Sequence, residues 1–189
     1  ITVNNATEYI ASVNEDLEYT LSYANTTNIA LRDVIIRAHL VGPMFDMTTV
    51  TGNAFLRASD NTLIWNAANT QGFNSLPAGA QGKVNFHIKT LPNYPIRRPS
   101  DKNFTLKIEA EIESSTVPQF VGATKTSTRV NHEVKVAGLV LVDARGLFRD
   151  AASGVVNNGP FPPKVGQATQ VSIHWILANF ATDVENVEV

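Results

Sequence analysis

A strict alternation of apolar and charged residues between Phe104 and Glu113 constrains the fold more than any other feature of this chain. Its apolar positions are Phe104, Leu106, Ile108, Ala110 and Ile112, and its charged positions are Lys107, Glu109, Glu111 and Glu113. Successive side chains of a β-strand point to opposite faces of the sheet. The alternation therefore predicts a long antiparallel strand with one buried face and one solvated face.

Shorter segments of the same kind recur along the chain and are separated by clusters of Gly, Pro and Asn. They are Leu17–Tyr23, Val34–Leu40, Ala54–Arg57, Thr62–Asn66, Val84–Ile88 and Thr126–Val136. No window places apolar residues at i, i+3, i+4 and i+7, which is the spacing of an amphipathic helix. The sequence therefore predicts an all-β chain.

The end of the chain repeats a pattern that is found near its beginning. Tyr19–Asn25 runs into Leu31–Ile36, and Ile173–Asn179 runs into Asp183–Val189 in the same way once a single loop residue is dropped. Each copy has the pattern of a strand, an Asn-led turn and a second strand.

In this alignment Asn25 matches Asn179, and Trp175 takes the inward position that Leu21 holds in the first copy. Trp175 is therefore predicted to be a core residue, because large aromatic side chains in strand patterns usually pack inside. The second strand of the later copy, from Val184 to Val187, closes the chain.

A new set of strands starts at Leu139, directly after the predicted strand Thr126–Val136. The length of 189 residues allows one full sandwich domain and part of another. We predict a first domain over residues 1–137 and the N-terminal part of a second domain over residues 138–189. Because the chain has no initiator methionine and ends inside a predicted strand, we expect it to be a segment of a longer protein.

The composition excludes several classes of function. A net charge of −2 provides no basic surface for nucleic acid or for an anionic membrane. The absence of cysteine excludes disulfides, thiolate metal sites and a cysteine nucleophile, and it does not exclude secretion. No run approaches the roughly 18 apolar residues that a membrane-spanning helix needs.

Three parts of the sequence resemble the tandem Ig-like repeats of large bacterial surface and secreted proteins. They are Tyr19–Tyr23 with Asn25 and Val34, Leu76–Phe86, and Gly159–Gly166 with Asn179. The resemblance implies antiparallel Ig-like β-sandwiches in tandem, the second copy incomplete, in an extracellular or cell-surface protein of a bacterium. It also implies a spacer, stalk or adhesin segment that has no catalytic site and no cofactor.

One segment departs from such a repeat, namely Pro92–Asp101 with its three prolines and its Arg97-Arg98 pair. Proline cannot donate a hydrogen bond to a central strand, so this segment is predicted to be a surface loop. We assign Tyr94, Arg97 and Arg98 as candidate ligand-contact residues, with surface glycans as the candidate partner.

No pattern of residues identifies a catalytic or metal site. The histidines His39, His87 and His174 take polar positions of predicted strands, where a solvent-facing side chain is expected, and the spacing of the four histidines does not bring metal ligands together. The glutamates between Glu109 and Glu113 share one strand face, which is better explained as a solvated face than as a glycosidase pair.

Two further motifs are weak. Oxygen-rich segments such as Ser59–Asn61 lack the spacing of a calcium loop and are interpreted as turns, with Asp143 and Asp150 as speculative calcium ligands. Asn5, Asn25 and Asn103 each begin an N-glycosylation sequon, a number of matches that is expected by chance in a chain rich in Asn and Thr.

Three functions stay open at this level. The first is a rigid non-enzymatic spacer whose partners are neighbouring repeats. The second is a filament protomer in which a strand of another chain, such as Ile1–Ile10, completes the second domain. The third is an adhesin or carbohydrate-binding module that uses the Pro92–Asp101 loop.

Overall fold

The structure is a computed structural model that describes residues 1–98, 100–119, 122–183 and 185. All regular secondary structure in these residues is β-strand. The described residues accordingly contain no helix of the length and apolar character needed to cross a lipid bilayer. Contacts within the backbone divide the chain into two compact units, Ile1–Ala137 (unit 1) and Gly138–Val189 (unit 2).

Unit 1 contains twelve strands among its described residues. They are β1 (Thr2–Val3), β2 (Ile10–Ala11), β3 (Asp16–Ala24), β4 (Leu31–Arg32), β5 (Ile35–Val41), β6 (Phe45–Gly52), β7 (Phe55–Arg57), β8 (Thr62–Trp65), β9 (Ser75–Leu76), β10 (Gln81–Thr90), β11 (Thr105–Ser114) and β12 (Thr126–Val136). One sheet has the order β1-β3-β10-β6, the other has the order β2-β12-β11-β5-β8-β7, and β4 pairs with β9. The predicted fold class, an all-β sandwich with antiparallel sheets, is confirmed.

One strand pair of unit 1 is parallel. Strand β2 runs in the same direction as β12, with Ile10 beside Lys135 and Ala11 beside Val136. The backbone N–H of Ala137 extends this pair by donating to the carbonyl oxygen of Ala11 at 2.8 Å. The segment Ile10–Ala11, near the start of unit 1, is thus hydrogen-bonded directly to its last residues, Lys135–Ala137.

The core of unit 1 follows from the alternation in the sequence. Leu106 and Ile108 of β11 are fully buried, and so is Tyr19 of β3. In both strands the residues next to these buried positions face outward. Contact between the two sheets is made by Trp65 of β8, whose ring centroid lies 6.1 Å from that of Phe86 in β10. Burial of such apolar surface is the main stabilising contribution to a sandwich of this size.

Strand β6 is the longest element of unit 1 that the sequence analysis did not predict. Its sequence, Phe45 to Gly52, carries polar residues at both alternate sets of positions, and few of its side chains are buried. It lies at the edge of its sheet, and its register with β10 shifts between His87 and Lys89. An edge strand with a bulge is not required to show a clean alternation.

A buried amide closes one corner of unit 1. Asn25 follows β3, and its Nδ2 lies 2.8 Å from the carbonyl oxygen of Ile29 and 3.0 Å from those of Leu76 and Pro77. Its Oδ1 accepts from the backbone N–H and from the hydroxyl of Thr27. One side chain therefore ties the turn after β3 to the segment that leads into β10.

Unit 2 contains β13 (Leu139–Leu147), β14 (Arg149–Asp150), β15 (Val155–Val156) and β16 (Ser172–Phe180). Strands β13 and β16 form one antiparallel pair and β14 and β15 form another. Among the described residues of this unit only Asp150 and Ala181 are buried. The described residues of unit 2 therefore form strands without an apolar core of their own.

The prediction that Trp175 is a core residue is wrong. Its side chain is 59% exposed, because no second layer covers β13 and β16 among the described residues. Trp175 matches Leu21 in the alignment, but Leu21 is buried in the core of unit 1, whereas the described residues of unit 2 form no core around Trp175. The predicted strand from Val184 to Val187 lies outside the described residues, except for Glu185.

We expect Asn25→Ala to destabilise unit 1 by about 3 kcal/mol, because it leaves several buried carbonyl and N–H groups without their hydrogen bonds. The measurement is chemical denaturation followed by the fluorescence of the buried Trp65. The matched control is Asn28→Ala at an exposed position of the same turn, which should change stability by less than about 0.5 kcal/mol. Equal effects of the two substitutions would contradict a closing role for Asn25.

Candidate interaction site

The predicted ligand loop, Pro92–Asp101, is anchored on the end of unit 1. The Tyr94 hydroxyl donates to the carbonyl oxygen of Ala137 at 2.5 Å, and the Tyr94 ring stacks on Phe104 with centroids 6.0 Å apart. Burial raises the pKa of Tyr94. Tyr94 is thus a half-buried anchor whose hydroxyl already has a partner within unit 1.

Arg97 and Arg98 occupy a different place from Tyr94. Their backbone N–H groups both donate to one carboxylate oxygen of Asp101 at 2.9 Å, and both side chains are exposed. The Asp101 carboxylate thus holds the backbone of this part of the loop, and the side chains of Arg97 and Arg98 face solvent. The described contacts thus place Tyr94 against Ala137 and Phe104 and leave the side chains of Arg97 and Arg98 facing solvent, and the ligand-contact role of the three residues stays a prediction.

The outer face of β11 carries a row of ion pairs that crosses three strands. Glu111 lies opposite Arg129 of β12 and opposite Arg37 of β5. Glu113 is bonded to Arg37 at 2.5 Å and to Lys125 at 2.6 Å. Opposite charges on neighbouring strands stabilise the pairing of the sheet modestly, by about 0.2–1 kcal/mol for each pair.

These ion pairs shift the titration of the carboxyl groups. Hydrogen bonds from Lys125 and Arg37 hold the pKa of Glu113 below its usual value, against a smaller opposing effect of burial. For Glu111, burial raises the pKa. The hydrogen bonds from Lys125 and Arg129 together lower the pKa by more than burial raises it, so the net shift is downward. Both groups are therefore ionised at neutral pH. A glycosidase acid needs the opposite shift, so this face has the properties of a solvated surface.

A polar cluster in unit 2 joins Asp150, Ser153 and His174. The Ser153 hydroxyl and the His174 Nε2 lie 2.6 Å and 2.5 Å from the same oxygen of Asp150, and the Asp150 side chain is buried. The hydrogen bond from Ser153, together with that from His174, lowers the pKa of Asp150. No Ser153–His174 hydrogen bond occurs in the cluster, so it lacks the base-to-nucleophile contact of a hydrolase.

This cluster corrects two expectations. His174 is not an ordinary solvent-facing histidine, since it joins β16 to the turn after β14 through Asp150. The Asp150 carboxylate is already used by two protein donors, and the described residues contain no group of three or more His, Asp or Glu side chains placed to hold a metal ion. His39 and His87 are half-exposed on strand faces, as predicted.

The largest unexplained feature of the described residues is the pair of strands β13 and β16, which we call the apolar ribbon. On one face of β16 the side chains of Ile173 and Trp175 are 55% and 59% exposed, and that of Leu177 is 47% exposed. Val142 of β13, which pairs with Leu177 and so lies on the same face, is 49% exposed. Contiguous exposed apolar surface of this kind marks an interaction site in a soluble protein.

Comparisons with known proteins show no family for this chain. No family model matches the chain, and none of the curated proteins matches it. Among solved structures, domains D2 and D3 of the major pilin SpaD from Corynebacterium diphtheriae are similar over 84% of this chain and 58% of the pilin chain. The sequence identity is 14% and the TM-score is 0.43.

We expect Lys125→Met to raise the pKa of Glu113, because it removes the hydrogen bond that contributes most to the downward shift. The measurement is a titration of the Glu113 carboxyl resonance by NMR. Because the folded pKa is depressed, the contribution of Glu113 to stability is present above its unfolded pKa and is lost as the pH falls through its folded pKa. Lys125→Met should weaken this acid-side dependence.

Lys135→Met is the control for this titration. Lys135 is also exposed and lies beside Thr105, eight residues along β11 from Glu113 and thus about 27 Å away. It should leave the titration of Glu113 unchanged. A Glu113 titration that is the same in both variants and in the unmodified chain would show that the ion pair with Lys125 does not form in solution.

Proposed function

We propose that this chain is a non-enzymatic structural segment of an extracellular bacterial surface protein, and that unit 1 is a spacer that carries tension. The single observation that carries this proposal is the parallel pairing of β2 with β12, closed by the hydrogen bond from Ala137 to Ala11. The resemblance of the sequence to tandem Ig-like surface repeats supports the same role.

The mechanical reason lies in the direction of the two strands. Force applied to the two ends of unit 1 pulls β2 toward its N-terminus and β12 toward its C-terminus. Because the strands are parallel and adjacent, this force shears the hydrogen bonds between Ile10–Ala11 and Lys135–Ala137. Bonds in shear must break together, whereas bonds at the open end of a hairpin break one after another.

Both backbone polar groups of Ala137 are hydrogen-bonded within unit 1. Its N–H donates to Ala11, and its carbonyl oxygen accepts from the Tyr94 hydroxyl. The stacking of Tyr94 on Phe104 ties this bond to the start of β11. The loop that departs from a minimal repeat thus strengthens the place where unit 1 ends, which is what a tension-carrying spacer requires.

The filament alternative needs a different donor from the one that the sequence suggested. In this structure the segment Ile1–Ile10 is used within its own unit, where β1 pairs with β3 and Val3 is fully buried. The surface that supports an assembly role is instead the apolar ribbon of unit 2. We propose that unit 2 associates with neighbouring repeats or subunits through this ribbon.

We expect Ala137→Pro to lower the force at which unit 1 unfolds, because it removes the donor to Ala11 at a cost of about 1 kcal/mol. The measurement is single-molecule force spectroscopy on the full chain, held at both ends. Unfolding of unit 1 is recognised by a length gain near 480 Å, from about 3.5 Å for each residue from Ile1 to Ala137.

Two further variants make this test specific. Tyr94→Phe removes the second bond to Ala137 and should also lower the force, while its ring still stacks on Phe104. Ala123→Pro places a proline in an exposed segment outside the strands and should leave the force unchanged. If neither Ala137→Pro nor Tyr94→Phe changes the unfolding force of a folded unit 1, the proposed spacer mechanism is wrong.

A second candidate function is adhesion to anionic glycans, favoured by the exposed side chains of the adjacent residues Arg97 and Arg98, whose backbone N–H groups are bonded to Asp101. We expect the double variant Arg97→Ala, Arg98→Ala to lose binding to a sulfated or sialylated glycan surface, measured on a glycan array. The control removes two exposed lysines elsewhere, Lys89→Ala with Lys135→Ala, and should retain binding. Absence of glycan binding by the unmodified chain would exclude this function.

A further inference from the structure

His132 of unit 1 lies on the inner face of its strand, whereas His39 and His87 are half-exposed on outer faces. It belongs to β12 and pairs with Ile108 of β11. Residues directly opposite each other on neighbouring strands point to the same face of a sheet, and Ile108 is fully buried. The imidazole of His132 therefore points into the sandwich, in the same direction as the buried Val134 two residues later.

The Nε2 atom of this imidazole is buried and has no hydrogen-bond partner among the described residues. A neutral imidazole loses one hydrogen bond in such a place, whereas a protonated ring would hold a full charge away from water, which costs far more. Burial accordingly lowers the pKa of His132, and the positive amino group of Ile1 lowers it further. The ring is therefore neutral at pH 7.

His132 lies beside the hydrogen bonds that join the two ends of unit 1. We call the pairing of β2 with β12, together with the bond from Ala137 to Ala11, the closure. His132 precedes Lys135, the first residue of β12 in the closure, by three positions. It also lines one groove with the segment Thr7–Ile10, which leads into β2. A change at His132 therefore alters the surface against which this segment packs.

The charged and titratable groups near His132 include no buried carboxylate among the described residues. They are the amino group of Ile1, Glu8 and Tyr9 from the segment before β2, and Glu133 and Lys135 from β12. Glu8 and Glu133 are exposed, and the Tyr9 hydroxyl donates to Glu15. The paired residue of β11 is apolar. A proton on His132 thus gains no buried counter-ion and adds a second positive charge near the amino group.

We propose that His132 makes the closure sensitive to acid, so that unit 1 withstands tension at neutral pH and unfolds at lower force in an acidic environment. The neutral ring fits the inner face of β12. The protonated ring requires water, which it gains when the segment Thr7–Ile10 and β2 separate from β12. This inference rests on the proposed function, because the closure that it regulates is the one proposed to bear the load.

The direction and size of the effect follow from proton linkage. In the separated state the ring is in water and has its usual pKa of about 6.5, whereas in the closed state the pKa of His132 is lower. The closed state therefore keeps its full stability above about pH 6.5 and loses stability as the pH falls from there to the lower pKa. At pH 5.0 the separated state gains at most about 30-fold, the ratio of protonated to neutral ring in water.

The test is the hydrogen exchange of the Ala137 amide in the full chain, because this N–H donates to Ala11 in the closure. We expect its protection factor, corrected for the intrinsic effect of pH on exchange, to fall at least about fivefold between pH 7.5 and pH 5.0. An NMR titration of the His132 ring should have its midpoint below the usual value of about 6.5. A midpoint at or above that value would overturn the proposal.

Two variants remove the titrating ring. His132→Leu places an apolar side chain on the inner face and His132→Gln a polar one, and both should abolish the loss of protection at pH 5.0. The matched control is His39→Leu on the outer face of β5, which should keep the pH dependence of the unmodified chain. Equal protection at both pH values in the unmodified chain contradicts the proposal. So does a pH dependence that persists in both His132 variants, since another group such as the amino group of Ile1 would then cause it.

The exchange measurements need no applied force, so their outcome is separate from that of the proposed function. A lower unfolding force at pH 5.0 in the unmodified chain, but not in His132→Leu, would support both. If Ala137→Pro and Tyr94→Phe leave the force unchanged, the tension mechanism fails, while a pH-dependent protection of Ala137 would still support acid opening of the closure. Constant protection, with lower forces in those two variants, would reject only the acid sensitivity.

Discussion

The need to cover the apolar face of a β-sheet is the constraint on which the rest of this structure depends. A sheet that alternates apolar and polar residues is stable only when a second layer covers its apolar side. Unit 1 meets this requirement with two sheets that meet through Trp65 and Phe86. Among the described residues of unit 2 the alternation occurs without a second layer, and the exposed ribbon follows directly from that difference.

Polar side chains determine where the elements of unit 1 begin and end, while the core determines that they form. Asn25 links the turn after β3 to the entry of β10, and Tyr94 links its loop to the end of β12. The carboxylates and cations that pair on the outer face of β11 keep that face of the sheet exposed to solvent. These contacts add little apolar burial, but they fix the register in which burial occurs.

The sequence predicted the long strands β3, β5, β10 and β11 well, because each has one covered face and therefore a period of two. It did not predict β6, whose edge position removes that requirement, or the pairing of β2 with β12, which joins two-residue segments far apart in the chain. Trp175 was predicted to be buried because of the residue pattern of its own strand. Whether such a residue is buried depends instead on a second layer that covers the strand. The role of Tyr94 depends on Ala137, and no local pattern connects them. The domain limits, the Ig-like class of each unit and the ligand loop stay predictions.

The buried position of Asn25 has a consequence for how this protein can be produced. Asn25-Thr26-Thr27 is an acceptor sequence for N-glycosylation, and in the folded chain its amide nitrogen faces three carbonyl oxygens inside a closed corner. In a eukaryotic secretory pathway the sugar is attached before such a corner closes, and a glycan on Asn25 is incompatible with these contacts. Recombinant material for biophysical work should therefore be made in a host that lacks this modification.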